Sequence, residues 1–206
     1  MPVRVIEPPQ PIVTPADIAR ADPDDESVAG MIAAVTAEID GPDGWLGRAL
    51  GPQTLELSLP CWTYDFLPLP FPPLIEVTGL TYLDVDGVEQ TLDTADWSND
   101  SESVWLSRKW RFPALAKQPD PIRLRYRAGY NGVAVKDGGT GPVPAQVKQA
   151  IILSVQHIQS LGAQNLFIRA DEVDGIGRRE YTVSDQAGAV IRKASERLLS
   201  GLRRYV

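Results

Sequence analysis

Three carboxylates, Asp171, Glu172 and Asp174, fall close together in the stretch RADEVDGIGRRE, and a two-metal nuclease needs carboxylates like these to hold its cations. Such ligands must be fixed by a helix or strand. The surrounding AQNLFIRADEVDGIGRREYTVSD has few periodic features and reads as a solvated acidic loop outside the core. DVDGVEQTLDTAD has the look of a calcium loop, but an EF-hand needs a third ligand before its glycine and a bidentate glutamate later. Gly87 comes too early, and a hairpin turn fits better. KDGGTGPV lacks the Gly-Lys-Ser/Thr ending of a phosphate-binding loop. His157 is the only histidine and no Gly-x-Ser-x-Gly occurs, which leaves neither a histidine metal set nor a nucleophile elbow. Cys61, the single cysteine, excludes an intrachain disulfide and reads as a small buried hydrophobe. The aromatic residues of CWTYDF, with Trp97, Trp105 and Trp110, are of a type that stacks on sugars or bases. Their place inside alternating strands favours core or interface packing. No catalytic, cofactor-binding or metal-binding residue is assigned.

The elements around these residues form a simple order. Residues 1–15 are proline-rich and read as an extended arm of polyproline character rather than core. Thr14-Pro15 looks like an N-cap and first helical residue opening a short helix, PADIARA. The acidic DPDDES caps the next one, in which Val28, Met31, Ile32, Val35 and Ile39 share a face until Asp40-Gly41-Pro42. DGWLGRALG adds a helical turn presenting Trp45, Leu46 and Leu50. From residue 52 to 130 the period changes to two: TLELSL, LIEVTGLTYLDV, VEQTL, SVWLSR and IRLRYRAGY predict five strands, with a two-residue Asp86-Gly87 turn. Pro68, Pro70, Pro72 and Pro73 cannot donate to a ladder and belong to an edge or connector. After a glycine-rich loop, Pro144 opens a helix with a stripe of Val147, Ala150, Ile151, Val155, Ile158 and Leu161, ended by Gly162. A last helix over 185–205 puts Ala187, Val190, Ile191, Ala194, Leu198 and Leu202 on one face. The fold class is α+β: a small helical bundle with an inserted antiparallel β region and a C-terminal helix, in one domain over 1–206.

The chain has 206 residues, 43% hydrophobic and 23% charged, as in folded proteins. It has no run apolar enough to span a membrane and no signal-peptide core, so a soluble, cytoplasmically made protein is expected. A net charge of -7 disfavours tight binding to DNA phosphates. The distribution is polar: residues 1–40 hold eight acids against two bases, and residues 186–206 five bases against one acid. In a self-assembling protein that polarity favours head-to-side contacts.

RVIEPP, DPDDES, DGPDGWLGRALGPQTLEL, LPLPFPPLIEVTGLTYLDVDGVEQTL and a C-terminal helix pair together resemble the head-tail connector proteins (adaptor, or head-completion proteins) of long-tailed phages and gene transfer agents. The match is best over about residues 3–92, with the helices after Pro144 agreeing in order and length, while the usual longer helix after the N-terminal prolines is shortened. The resemblance implies a non-enzymatic virion protein without cofactor. It implies a homo-oligomeric ring of about a dozen copies in the neck, beneath the portal. That ring meets the portal protein and a stopper or tail-completion protein, encloses DNA without gripping it, touches no membrane, and assembles in the host cytoplasm. By the same analogy Arg192, Leu198, Leu202, Arg203, Arg204 and Tyr205 are portal-binding candidates. Pro70, Pro72, Pro73, Asp86 and Gly87 are expected to direct a β element toward an adjacent subunit or the next neck protein. Two other functions are kept beside it: an aromatic-faced carbohydrate-binding module, and a metal-dependent DNA-processing enzyme of the packaging apparatus using Asp171 and Asp174.

Overall fold

A computed structural model describes residues 2–62, 66–107, 109–163, 170–173, 177–180 and 185–204, with side chains for all of these except 161–163, 170–173, 177–180, 185–189 and 192. Helices and antiparallel sheets give the α+β class expected, with a helix near the C-terminus. The chain divides into two compact units.

The first unit comprises Met1–Ile12, Glu38–Val143 and Arg203–Val206. Its strands are β1 (Val3–Glu7), β2 (Gln53–Leu59), β3 (Phe66–Pro68), β4 (Leu74–Leu83), β5 (Glu89–Thr91), β6 (Trp97–Asn99), β7 (Ser103–Leu106) and β8 (Ile122–Ala128). They form a five-stranded sheet in the order β1-β2-β8-β4-β5 and a three-stranded sheet β3-β7-β6, every pair antiparallel. Period two decides which face is buried. In β8, Ile122, Leu124, Tyr126 and Ala128 point inward while Arg123, Arg125 and Arg127 point out. Leu55, Leu57 and Leu59 of β2 join them in one core with Leu67, Leu69, Phe71, Leu80, Val104 and Leu106. Gly129 closes this core at a tight crossing: a Cβ there would lie 2.1 Å from the Gly51 carbonyl oxygen.

Several expectations change here. Residues 3–7 of the N-terminal segment form a sheet strand rather than part of a polyproline arm, because the alternation of VRVIE lets Val3 pack on the core while Arg4 pairs outward. DGWLGRALG forms turns instead of a helix. The Asp40 carboxylate accepts from the Leu50 amide (2.7 Å) and Gln53 Nε2 (2.9 Å), and the Gly41 amide bonds the Arg48 carbonyl, folding the segment back on itself. Burial of Asp40 pushes its carboxyl up, although these donors oppose the shift. Strands β1, β3 and β6 are additional to the five predicted. Cys61 is exposed, not buried.

The second unit comprises Val13–Ala37 and Pro144–Leu202. PADIARA contracts to a 3-10 turn, Pro15–Asp17. The Asp17 carboxylate captures the Thr14 amide at 2.8 Å, and Arg20 at φ +68° leaves helical space. Helix α1 (Glu26–Ile39) starts where the Asp25 carboxylate accepts from the amides of Ser27 and Val28, and buries Val28, Ile32, Val35 and Ile39 as expected. Helix α2 (Ala145–Ala163) buries Val147, Ala150, Ile151 and Val155, but Ile158 is exposed. Strands β9 (Ala170–Val173) and β10 (Gly177–Glu180) pair antiparallel within the segment read as a loop. Helix α3 (Asp185–Ser200) is shorter than predicted and packs on α2 through a rotated face: Ser195 and Leu199 are buried while Val190 and Ala194 are exposed. The rotation brings the Ser195 hydroxyl within 3.3 Å of the Ser154 hydroxyl, so a polar residue fills a position that an apolar stripe alone would assign elsewhere.

Candidate functional site

The proline stretch folds as a two-sided ribbon. Leu67, Leu69 and Phe71 turn into the core, Pro68 stands outside, and Pro70 and Pro73 are half-buried. Pro72 is buried, so its ring packs within the unit instead of presenting a surface. The Tyr126 hydroxyl, which burial pushes above the usual phenol range, donates to the Pro70 carbonyl at 2.8 Å and fixes the ribbon to β8. The ribbon thus belongs to the core rather than leading the chain away from it.

Beyond it β4 runs out to a turn that differs from the two-residue form. The Gly87 amide bonds the Asp84 carbonyl (2.9 Å) and the Asp84 amide bonds the Val88 carbonyl (3.0 Å), making a three-residue loop, Val85-Asp86-Gly87. Gly87 sits at φ +77°, the left-handed place where a hairpin with a bulge wants glycine. The Asp84 carboxylate accepts from Gln90 Nε2 and from the amides of Val88 and Asp86, which holds its pKa below the usual range. Asp86 and Gly87 are exposed, beside Val85 and Val88, whose exposures of 64% and 55% are large for valine.

Next to this hairpin the aromatic residues gather. The Trp62 ring meets Tyr82 at 5.8 Å and Trp110 at 4.8 Å edge to face, and stacks on Phe112 at 5.8 Å. Such packing sets ring edges and faces against neighbouring rings, whereas a sugar platform presents one flat face to solvent. Lys109, Trp110, Arg111 and Phe112 line an open concavity at the surface.

Arg203 and Arg204, proposed for the portal, are engaged within the first unit. Arg204 forks onto Glu102 with its two terminal nitrogens at 2.7 and 2.8 Å from separate carboxylate oxygens, and its amide bonds the Leu46 carbonyl. The Arg203 guanidinium lies 5.5 Å from the centre of the Trp45 ring. Leu198 and Leu202 are half-buried in the second unit. The Arg192 side chain and Tyr205 lie outside the described residues.

Sequence reasoning missed a charged triad on the outer face of the sheet. Glu56, in the middle of β2 and 1% exposed, receives Arg4 from β1 at 2.6 Å and Arg125 from β8 at 2.7 Å, one guanidinium per carboxylate oxygen. Burial alone would raise the carboxyl; the two arginines outweigh it and hold it below the usual range. The signal was present in the alternation: TLELSL and IRLRYRA each place a charge midway along their outward faces.

The register of β9 and β10 sets Asp171 opposite Arg179 and Glu172 opposite Arg178, while Asp174 lies outside the described residues. Among the described residues no group of three His, Cys, Asp or Glu is placed to hold a metal, and no helix is long and apolar enough to cross a membrane.

No protein-family model and no curated protein sequence matches the chain. Solved structures do. A chain in the virion of a native gene transfer agent particle has a TM-score of 0.64 and 17% identity, over 100% of this chain and 97% of that one. Chains in the neck of the empty particle, computed with C6 symmetry, and of the native particle, computed with C12 symmetry, both have TM-scores of 0.63 and 18% identity over the same spans. At these identities the likeness is one of fold, and it extends over the full length of the chain.

Proposed function

We propose that the protein is a structural component of a virion neck, an adaptor that forms a ring of about twelve copies beneath the portal and joins the DNA-filled head to the tail or the next neck protein. The observation that carries this reading is the agreement of the whole chain, both units included, with chains of gene transfer agent virion and neck structures. An isolated domain match would leave room for a different assembly; end-to-end agreement supports a shared architecture and, with it, a shared role.

The physical character of the chain supports the same role. A ring around a duplex must let it slide, and a protein of net charge -7 does not hold phosphates through general electrostatics. A head-to-tail contact repeated around an axis closes into a ring only when two different surfaces of one chain are complementary. The work is therefore done by position and binding, without turnover. The portal contact assigned by analogy to 198–205 starts from a held state, since Arg204 already has an acceptor in Glu102. The portal must offer that arginine a carboxylate at least as well placed.

Electron microscopy of the protein bound to the portal of its own particle tests the reading. The expected image is a closed ring coaxial with the portal, lost when residues 201–206 are removed. A truncated protein that still completes head-to-tail joining refutes the portal contact, and a protein that never forms a ring on the portal refutes the function.

A further inference from the structure

Charge within the first unit is divided along the sequence. Residues 49–107 contain ten acids and no lysine or arginine; residues 108–136 contain eight bases and one acid. Two exposed places concentrate this division. At the β4–β5 turn, Val85 and Val88 project beside Asp86 and Glu89, all four exposed, while Asp84 is consumed by the turn itself. At the concavity of 109–112, Trp110 and the 45%-exposed Phe112 alternate with exposed Lys109 and Arg111. One surface is a small apolar tip with acidic flanks, the other an aromatic floor with basic flanks. Among the described residues no hydrogen bond or ion pair links 85–89 with 109–112 within the chain.

We propose that the hairpin tip Val85–Glu89 of one copy docks in the Lys109–Phe112 concavity of the next, with Val85 and Val88 on the Trp110 and Phe112 rings and Asp86 and Glu89 facing Lys109 and Arg111. The inference rests on the ring reading above and names the surfaces that would close it. Tip and concavity are different patches of one unit, and a tip-in-concavity contact repeated in one sense propagates from copy to copy as a ring requires, whereas a reciprocal exchange between two copies closes a two-fold pair. Aromatic and arginine side chains are the types that anchor interfaces when partly desolvated, and opposite charges at the rim set orientation and exclude the reversed approach. A rigid tip lowers the ordering cost of docking, and here Asp84 supplies three hydrogen bonds that preset the loop.

The test uses the full chain as an equal mixture of light and heavy-isotope protein. A carbodiimide joins a lysine amine to a carboxylate only when the two already touch. The expected product is a mixed-isotope peptide pair joining Lys109 to Asp86 or Glu89. In sedimentation, the Lys109→Glu/Arg111→Glu and Asp86→Lys/Glu89→Lys variants each lose affinity for themselves by about tenfold or more. Mixed in equal amounts they associate again, because each then offers the charge the other lacks. Oligomers whose cross-links join other residues, or a mixture that fails to recover, overturn the contact and leave the ring standing. A tip variant that self-associates normally but no longer binds another neck protein overturns it in favour of that partner. A chain that stays monomeric at every concentration and on its portal overturns both the contact and the ring.

Discussion

Replacing Glu56 by glutamine tests whether the first unit depends on its charged triad. The substitution keeps the shape but turns one oxygen into an amide donor, so one guanidinium of Arg4 or Arg125 faces a donor instead of an acceptor and the other keeps only a neutral partner. Losing one charge-assisted set costs about 1.5–3 kcal/mol, and weakening the other adds roughly 1 kcal/mol. Against this, the variant no longer buries a carboxylate, and both arginine side chains, 63% and 52% exposed, can turn to water. The net expectation is a loss of about 2–3 kcal/mol, a fall in melting temperature of roughly 5–10 °C for a chain of this length. All five tryptophans, Trp45, Trp62, Trp97, Trp105 and Trp110, lie in this unit, so their fluorescence reports its unfolding. The pH dependence has a definite sign. The folded carboxyl sits below its ordinary value of 4.5, so the native state binds fewer protons than the unfolded one, and the stabilisation is complete above about pH 4.5 and lost as pH falls through the depressed folded value. The gap between wild type and variant should therefore close in acid. Arg127→Gln, which breaks the exposed pair with Glu76, should change stability by less than about 1 kcal/mol. A Glu56→Gln protein within about 0.5 kcal/mol of wild type at pH 7, or a gap that persists unchanged at pH 3, refutes the reasoning.

Three further substitutions follow, two of them in the core and one a control in open space. Gly129→Ala places a Cβ 2.1 Å from the Gly51 carbonyl oxygen at φ +119°, and the variant should fail to give folded protein or lose more than about 4 kcal/mol. Gly132→Ala, at φ +78° with open space around it, should cost only about 1 kcal/mol; equal losses on denaturant titration would show that close approach is not what Gly129 serves. Tyr126→Phe removes the hydroxyl that holds the proline ribbon, leaving the Pro70 carbonyl without that donor. It should cost about 1–2 kcal/mol, and faster hydrogen exchange at Leu69 and Phe71 should accompany the loss.

What the sequence made legible follows from the range of the interaction that decides each element. Strands β2, β4, β5, β7 and β8 and the buried face of α1 are written in local periodicity and could be read from it. Strand β1 could not, since its pairing depends on Glu56, some fifty residues away, and the prolines behind it gave a local reason to see an arm. The C-terminal helix was found, but its face was misplaced because Ser195 is buried by a hydroxyl contact with Ser154 that no hydropathy pattern contains. Arg203 and Arg204 carry no sign in the sequence of Trp45 and Glu102 as partners. The hairpin was legible as a turn, while its three-residue form was set by the Asp84 carboxylate, a choice that the Asp-Gly pair alone does not make.

The outward proline has a consequence for crowding. A structure that gathers many copies at one vertex brings sheet edges to concentrations at which strands of neighbouring molecules can add to one another without limit. β3 is an outer strand of its sheet, and Pro68, which stands outside, leaves that margin one amide donor short. A growing strand stack needs an unbroken row of donors and finds a gap here. The segment that anchors the core from one side is thus a poor template for strand addition on the other.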